Sequence, residues 1–124
     1  MKLSEKILAW ANDKDLLKSE NISKQFKKLK EEVGELGVEI RLLSNLRELQ
    51  YVLDDSLSLV DEIALKKIEM ALINKIALEI GDNGVVLEIL AKQVGLSFKD
   101  CRKLAYKKIK HRTGKTINRT FVKD

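Results

Sequence analysis

Apolar residues recur along most of this chain at steps of three and four, the spacing that places side chains on one face of a helix. The clearest run is Ile22, Phe26, Leu29, Val33, Leu36, Ile40 and Leu43, whose alternating steps describe a helix packed along one stripe of a bundle. Asn21 or Ser23 can cap its start. A shorter helix is expected ahead of it, from about Ser4 to Ala11, carrying Ile7, Leu8 and Trp10 and ending in the break Asn12-Asp13-Lys14-Asp15. Beyond Leu43 the helical spacing continues through Leu46, Leu49 and Leu53 to an interruption at Asp54-Asp55-Ser56.

Ser58, with Asp61 three residues on, has the pattern of a capping box. It opens a long helical segment through Ile73, Ile76, Ala77, Ile80, Leu87, Leu90, Ala91 and Val94, which Gly95 ends. Gly81 and Gly84 fall inside it, each at about 1 kcal/mol against alanine, so close packing or a bound group is what they would permit. Ser97 with Asp100 caps a last helix to about His111, stopped by Thr113-Gly114, and the closing TINRTFVKD is extended or loosely ordered. The pattern predicts an all-α fold, a helical bundle of four to five helices in a single domain over 1–124.

Composition agrees. Proline is absent and aromatic residues make up 5% of the 124 residues, whereas strands and their turns draw on both. No apolar run approaches the roughly 20 residues that span a bilayer, and the opening MKLSEKILAW lacks a signal-peptide core. The single cysteine, Cys101, has no partner for an internal disulfide and is expected to pack as a small apolar residue, so a cytoplasmic setting is the expectation. The net charge of +5 is concentrated at the end, where Lys99 to Lys123 carries ten bases against Asp100 alone. Such a segment suits a polyanion, whether nucleic acid, a triphosphate or an acidic membrane surface.

Acidic residues form two pairs, in Glu31-Glu32-Val33-Gly34-Glu35 and in Glu79-Ile80-Gly81-Asp82. Residues three apart share a helix face, so Glu32 projects with Glu35 and Glu79 with Asp82, each pair beside the apolar stripe. If the two helices pack antiparallel, four carboxylates converge at the edge of the core and raise one another's pKa. A hard divalent cation, Mg²⁺ or Mn²⁺, relieves that repulsion, and the lack of His or Cys argues against zinc. A lone E-E-x-x-E is more often a solvated face paired with lysines such as Lys27 and Lys28. The second pair, and the glycines Gly34 and Gly81 beside both, shift the balance toward a site.

These segments resemble a family. Gln25-Phe26-Lys27-Lys28-Leu29-Lys30-Glu31-Glu32-Val33-Gly34-Glu35-Leu36 is similar to the K-L-x-E-E-x-G-E-L segment of MazG-like nucleotide pyrophosphohydrolases. Glu79-Ile80-Gly81-Asp82 followed by Val85-Val86-Leu87 is similar to their E-x-G-D segment. Arg112-Thr113-Gly114-Lys115 with Phe121-Val122-Lys123 resembles the tail of the small bacterial and phage members, and Trp10-Ala11-Asn12-Asp13 fits their opening. The resemblance implies an all-α homodimer or homotetramer that hydrolyses nucleoside triphosphates to a monophosphate and pyrophosphate. It further implies Mg²⁺ held by Glu32, Glu35, Glu79 and Asp82, with Glu31 orienting water or holding another metal. The chain departs from the family at Arg119, where relatives often have Gly, at His111, where Asn is expected, and in the longer stretch Leu36 to Leu78. Within that stretch, Ser44 to Lys67 holds either an inserted helical turn or an extended hairpin.

Lys108 and Arg112, with Lys115 behind them, are the expected triphosphate contacts, and Lys28 is a further candidate for substrate. Trp10 is either a base-stacking residue or, more commonly for such a position, part of the core. His111 fits the negative end of its helix. The rival reading is a helix-turn-helix DNA-binding protein, from Leu90-Ala91-Lys92-Gln93-Val94-Gly95-Leu96-Ser97 leading into the basic last helix. It leaves both carboxylate pairs unexplained.

Overall fold

The computed structural model describes residues 1–124. Helix α1 spans Leu3–Asp13, α2 Ile22–Leu53, α3 Leu59–Gln93 and α4 Phe98–Ile109, followed by strands β1, Gly114–Ile117, and β2, Thr120–Lys123. The long helices α2 and α3 lie against each other as a hairpin. α1 packs on α3, and α4 is set on the end of α3. No helix is long and apolar enough to cross a membrane.

Local chemistry sets the breaks. The first helix continues to Asp13, past the expected stop at Ala11, and closes with Leu16 N–H donating to the Ala11 carbonyl at 2.9 Å. Asp15 then takes a positive φ of 60° and reverses the chain. A single 3₁₀ turn at Asp54–Ser56 separates α2 from α3, and Ser58 Oγ accepts the Asp61 N–H at 3.2 Å to cap α3. The stretch Ser44 to Lys67 is therefore an extended hairpin of two continuous helices. At the other end of α3, Gly95 at φ +80° allows Leu96 N–H to reach back to the Ala91 carbonyl at 2.9 Å, a Schellman-type stop. Ser97 Oγ then accepts the Asp100 N–H at 3.0 Å and opens α4.

The all-α expectation is corrected at the C-terminus. Residues Gly114–Ile117 and Thr120–Lys123 pair antiparallel, Gly114 opposite Lys123 and Ile117 opposite Thr120. The two connecting residues, Asn118 and Arg119, have φ of 49° and 65°, the double left-handed geometry of a tight hairpin turn. That conformation suits Gly at position 119. At Gly114 a side chain would collide with the Val122 carbonyl and the Phe121 ring of the facing strand.

The buried residues occupy one end of the hairpin. Ala11, Val86, Ile89 and Ala91 form the apolar core, joined by Gln25, Glu32, Asn83, Glu88 and Gln93. The α2 stripe is used unevenly. Leu29, Leu36 and Leu43 are half-buried, whereas Phe26, Val33 and Ile40 are about half exposed, at 52%, 54% and 49%. Ile73 and Ile80 of α3 are exposed likewise.

Candidate metal centre

Antiparallel packing of α2 on α3 brings the two acidic pairs together. Carboxylate oxygens of Glu32, Glu79 and Asp82 all lie within 4.8 Å of one another. Glu32 is buried, Glu79 half-buried and Asp82 exposed, so the group runs from the helix interface to the surface. Asn83 clamps the helices beneath it. Its side-chain amide donates to the Glu32 carbonyl at 3.2 Å and to the Glu79 carbonyl at 2.8 Å, one on each helix.

The electrostatics match an unneutralised cluster. Glu79 is held above the ordinary carboxylate range, first by burial and then by the charges of Glu35, Glu32 and Asp82. Glu35, the fourth carboxylate, acts on Glu79 through its charge but stays exposed and outside the converging three. Glu32 Oε1 accepts from Lys28 Nζ at 3.0 Å, but Glu32 Oε2 and Glu79 Oε2 are buried without a donor. Buried acceptors rarely go unmatched. An all-carboxylate donor set with two open buried oxygens fits a hard divalent cation, and this triad can hold one.

Lys28 rises above its ordinary lysine value, chiefly through the hydrogen bond to Glu32 and that group's charge. Glu31 and Glu35 add to this, and burial opposes it. Glu31 is exposed, 3.8 Å from Lys28 Nζ, and is not part of the converging triad or of the cavity wall.

Beside the triad opens a cavity of about 560 Å³, whose walls include Trp10, Gln25, Lys28, Glu32, Asp82 and Ile89. The core alternative for Trp10 is corrected, because its side chain is 49% exposed and forms a cavity wall. Lys108, Arg112 and Lys115 do not line this cavity and lie exposed on α4 and the segment after it. Within the chain, Lys24 and Lys28 are the cations at the cavity. Gly34 and Gly81 face open space, so no backbone of the same chain needs their smallness. His111 is exposed beyond the end of α4, and Cys101 is a half-buried free thiol.

Three residues escaped the reading of the sequence: Asn83, Gln25 and Lys24. Asn83 had a signal, since it lies four residues after Glu79 and seven after Ile76, a polar residue within the packing stripe. Gln25 lies seven residues before Glu32 and so shares its face. Lys24 had none, one lysine among several on its helix. No protein-family profile, curated relative or solved structure matches the chain.

Proposed function

We propose that the chain is a divalent-cation-dependent nucleotide pyrophosphohydrolase with MazG-like architecture, hydrolysing NTPs or dNTPs to a monophosphate and pyrophosphate. The observation that carries this reading is the Glu32, Glu79 and Asp82 convergence, with two donorless buried oxygens, opening onto a cavity of nucleoside size. Glu32, Glu79 and Asp82, with Glu35 beside them, would hold Mg²⁺ or Mn²⁺. When bound, that cation supplies positive charge to the phosphates and water of lowered pKa. Lys28 stands between the triad and the rest of the cavity, where its ammonium faces the developing charge of a phosphoanhydride. Glu31, exposed and 3.8 Å from Lys28 Nζ, would be the residue that orients water. Water adds to the α-phosphorus, the α–β phosphoanhydride bond breaks, and pyrophosphate leaves.

The same reading makes the protein a homodimer or homotetramer. Helical spacing puts Phe26, Val33 and Ile40 along one side of α2, and Ile73 and Ile80 along one side of α3. All five are exposed and none lines the cavity. A second copy set on this face would complete a four-helix arrangement, leaving the cavity open.

The test is incubation of the purified protein with a panel of NTPs and dNTPs, with Mg²⁺ and with chelator, scoring monophosphate and pyrophosphate. Expected are metal-dependent release of both products and a fall in kcat of at least about 100-fold in Glu32→Gln or Asp82→Asn, the scale of losing an electrostatic stabiliser. Absence of turnover across the panel, or full turnover in both variants, overturns the proposal.

The helix-turn-helix reading has two observations in its favour. The α3–Gly95–α4 corner is present, and no acid neutralises the bases of α4 by a salt bridge. A salt-sensitive shift of duplex DNA by the pure protein would support it.

A further inference from the structure

We infer that the cavity beside the triad is a nucleobase pocket, in which the Gln25 amide reads the edge of the base and Trp10 lies against its face. The phosphate end of this assignment rests on the pyrophosphohydrolase reading; the base end stands on separate observations.

Three side-chain amides are more than nine-tenths buried: Gln25, Asn83 and Gln93. Two of them are engaged with backbone. Asn83 donates to the Glu32 and Glu79 carbonyls, and Gln93 Nε2 donates to the Leu16 carbonyl at 2.8 Å, tying the chain after α1 onto α3. Gln25 makes no hydrogen bond to any group of the chain, although only 8% of it is exposed. The small part that remains accessible belongs to the cavity wall. An amide offers donors and an acceptor side by side, and a ligand that satisfies both must present the complementary pair on one rigid edge. Nucleobases do so. Their flat faces also suit the rest of the lining, where Val85, Val86 and Ile89 provide apolar wall and Trp10 an exposed ring.

Spacing gives the pocket a direction. Gln25, Lys28 and Glu32 are three and four residues apart on one stripe of α2, so Gln25 lies roughly 10 Å along the axis from Glu32. A nucleotide stretched along that stripe sets its phosphates at Lys28 and the triad and its base at Gln25. Asn21, one turn before Gln25, closes the same end. The volume, about 560 Å³, falls within the range of small-molecule sites.

The chain has one tryptophan, so its emission reports this pocket directly. The full-length protein in Mg²⁺ is titrated with α,β-methylene nucleoside triphosphates of the four bases, and with tripolyphosphate, followed by Trp10 fluorescence and calorimetry. The expected result is a saturable change in emission with at least one nucleotide, and little with tripolyphosphate. Gln25→Leu weakens the preferred nucleotide at least tenfold while leaving the tripolyphosphate Kd unchanged. Gln25→Glu, of the same shape but only an acceptor when ionised, shifts the order of bases toward guanine, whose N1–H and N2–H₂ are adjacent donors. Equal weakening of nucleotide and tripolyphosphate, an unchanged base order in both variants, or an emission indifferent to every nucleotide overturns the inference. Base-selective binding without hydrolysis would remove the enzymatic reading and keep the pocket. Hydrolysis that neither variant makes base-sensitive would do the reverse.

Discussion

Where α1 packs on α3, side chains are enclosed on several sides. Ala11 is fully buried, Ile89 is 2% exposed, and Asn83 and Gln93 cross-link the chain through backbone carbonyls. Toward the other end, α2 and α3 run on to the turn at Asp54–Ser56 with no further helix laid over them, only Arg119 of the C-terminal hairpin lying beside α2. Every buried residue lies within Ala11–Glu32 or Asn83–Gln93, and none within 33–82. Cross-links exist there too, Gln50 to Glu69 at 3.4 Å and Arg47 to Glu69 at 3.6 Å. They are partly exposed polar contacts, and two helices alone leave half of each apolar stripe in water. The distal arm has the sequence of a packed helix pair without the surroundings of one, and on the proposed oligomeric reading a second copy would supply them.

The largest effect is expected from breaking that partnership. Burying an apolar side chain of this size contributes about 1.5–3 kcal/mol, and symmetry counts each substitution twice in a dimer. Ile40→Asp with Ile73→Asp, both remote from the acidic triad, should convert an oligomer to a 14.2 kDa monomer by light scattering. Hydrogen exchange should then accelerate in 40–73 and stay slow around Ile89. If the double variant keeps the oligomeric mass, the open face is not the interface, and the contrast between the two ends needs another cause.

The next effect sharpens the enclosed end. Asn83→Ala removes the hydrogen bond that joins α3 to the Glu32 carbonyl of α2, and a second one to Glu79 within α3, at an expected cost of about 1–3 kcal/mol. Denaturant unfolding should show it as a lower midpoint with an unchanged slope. Divalent-cation affinity should fall as well, because the clamp holds Glu32 and Glu79 in register. A variant that unfolds earlier but binds cation as before would make Asn83 purely structural.

This division explains what could be read from the chain alone. Ser58 with Asp61, Ser97 with Asp100, and Gly95 mark helix ends through local chemistry, and each reappears in the structure with the expected hydrogen bond or backbone angle. The carboxylate pairs were legible because three-residue spacing is a property of one helix, and the stripes dictate that the helices meet. The tail was legible as an extended or loosely ordered segment but not as a paired hairpin, since four-residue strands with a turn at Asn118–Arg119 carry too short a pattern to reveal their register. Nor was the distance from Lys108, Arg112 and Lys115 to the triad. Charge identifies a suitable residue for phosphate, but only the path of α4 after Gly95 shows that these three do not reach the cavity of their own chain. Gln25 was hidden by its surroundings, a polar residue among lysines whose burial arises only when α3 is laid against it.

The smallest effect concerns Glu79, whose carboxyl is raised by burial and by Glu35, Glu32 and Asp82. A carboxyl raised in the folded state holds its proton more firmly there than in the unfolded chain. Its contribution to stability is therefore complete below the ordinary glutamate value of about 4.3 and is lost as pH rises through the folded value. Other carboxylates titrate in the same window, so the informative quantity is the difference in Tm between the parent and Glu79→Gln. Without divalent cation, the parent should lose ground to the variant as pH rises toward neutrality, because the variant no longer carries the repelled charge. Mg²⁺ should reverse the order at pH 7: a ligand at about 100 times its Kd adds roughly 2.7 kcal/mol to the state that binds it, and the variant lacks one of its oxygens. A parent that outlasts Glu79→Gln at neutral pH without metal, and gains nothing from Mg²⁺, would mean that these carboxylates tolerate one another unaided. The enclosed end of the hairpin would then be a packing feature and not a metal centre.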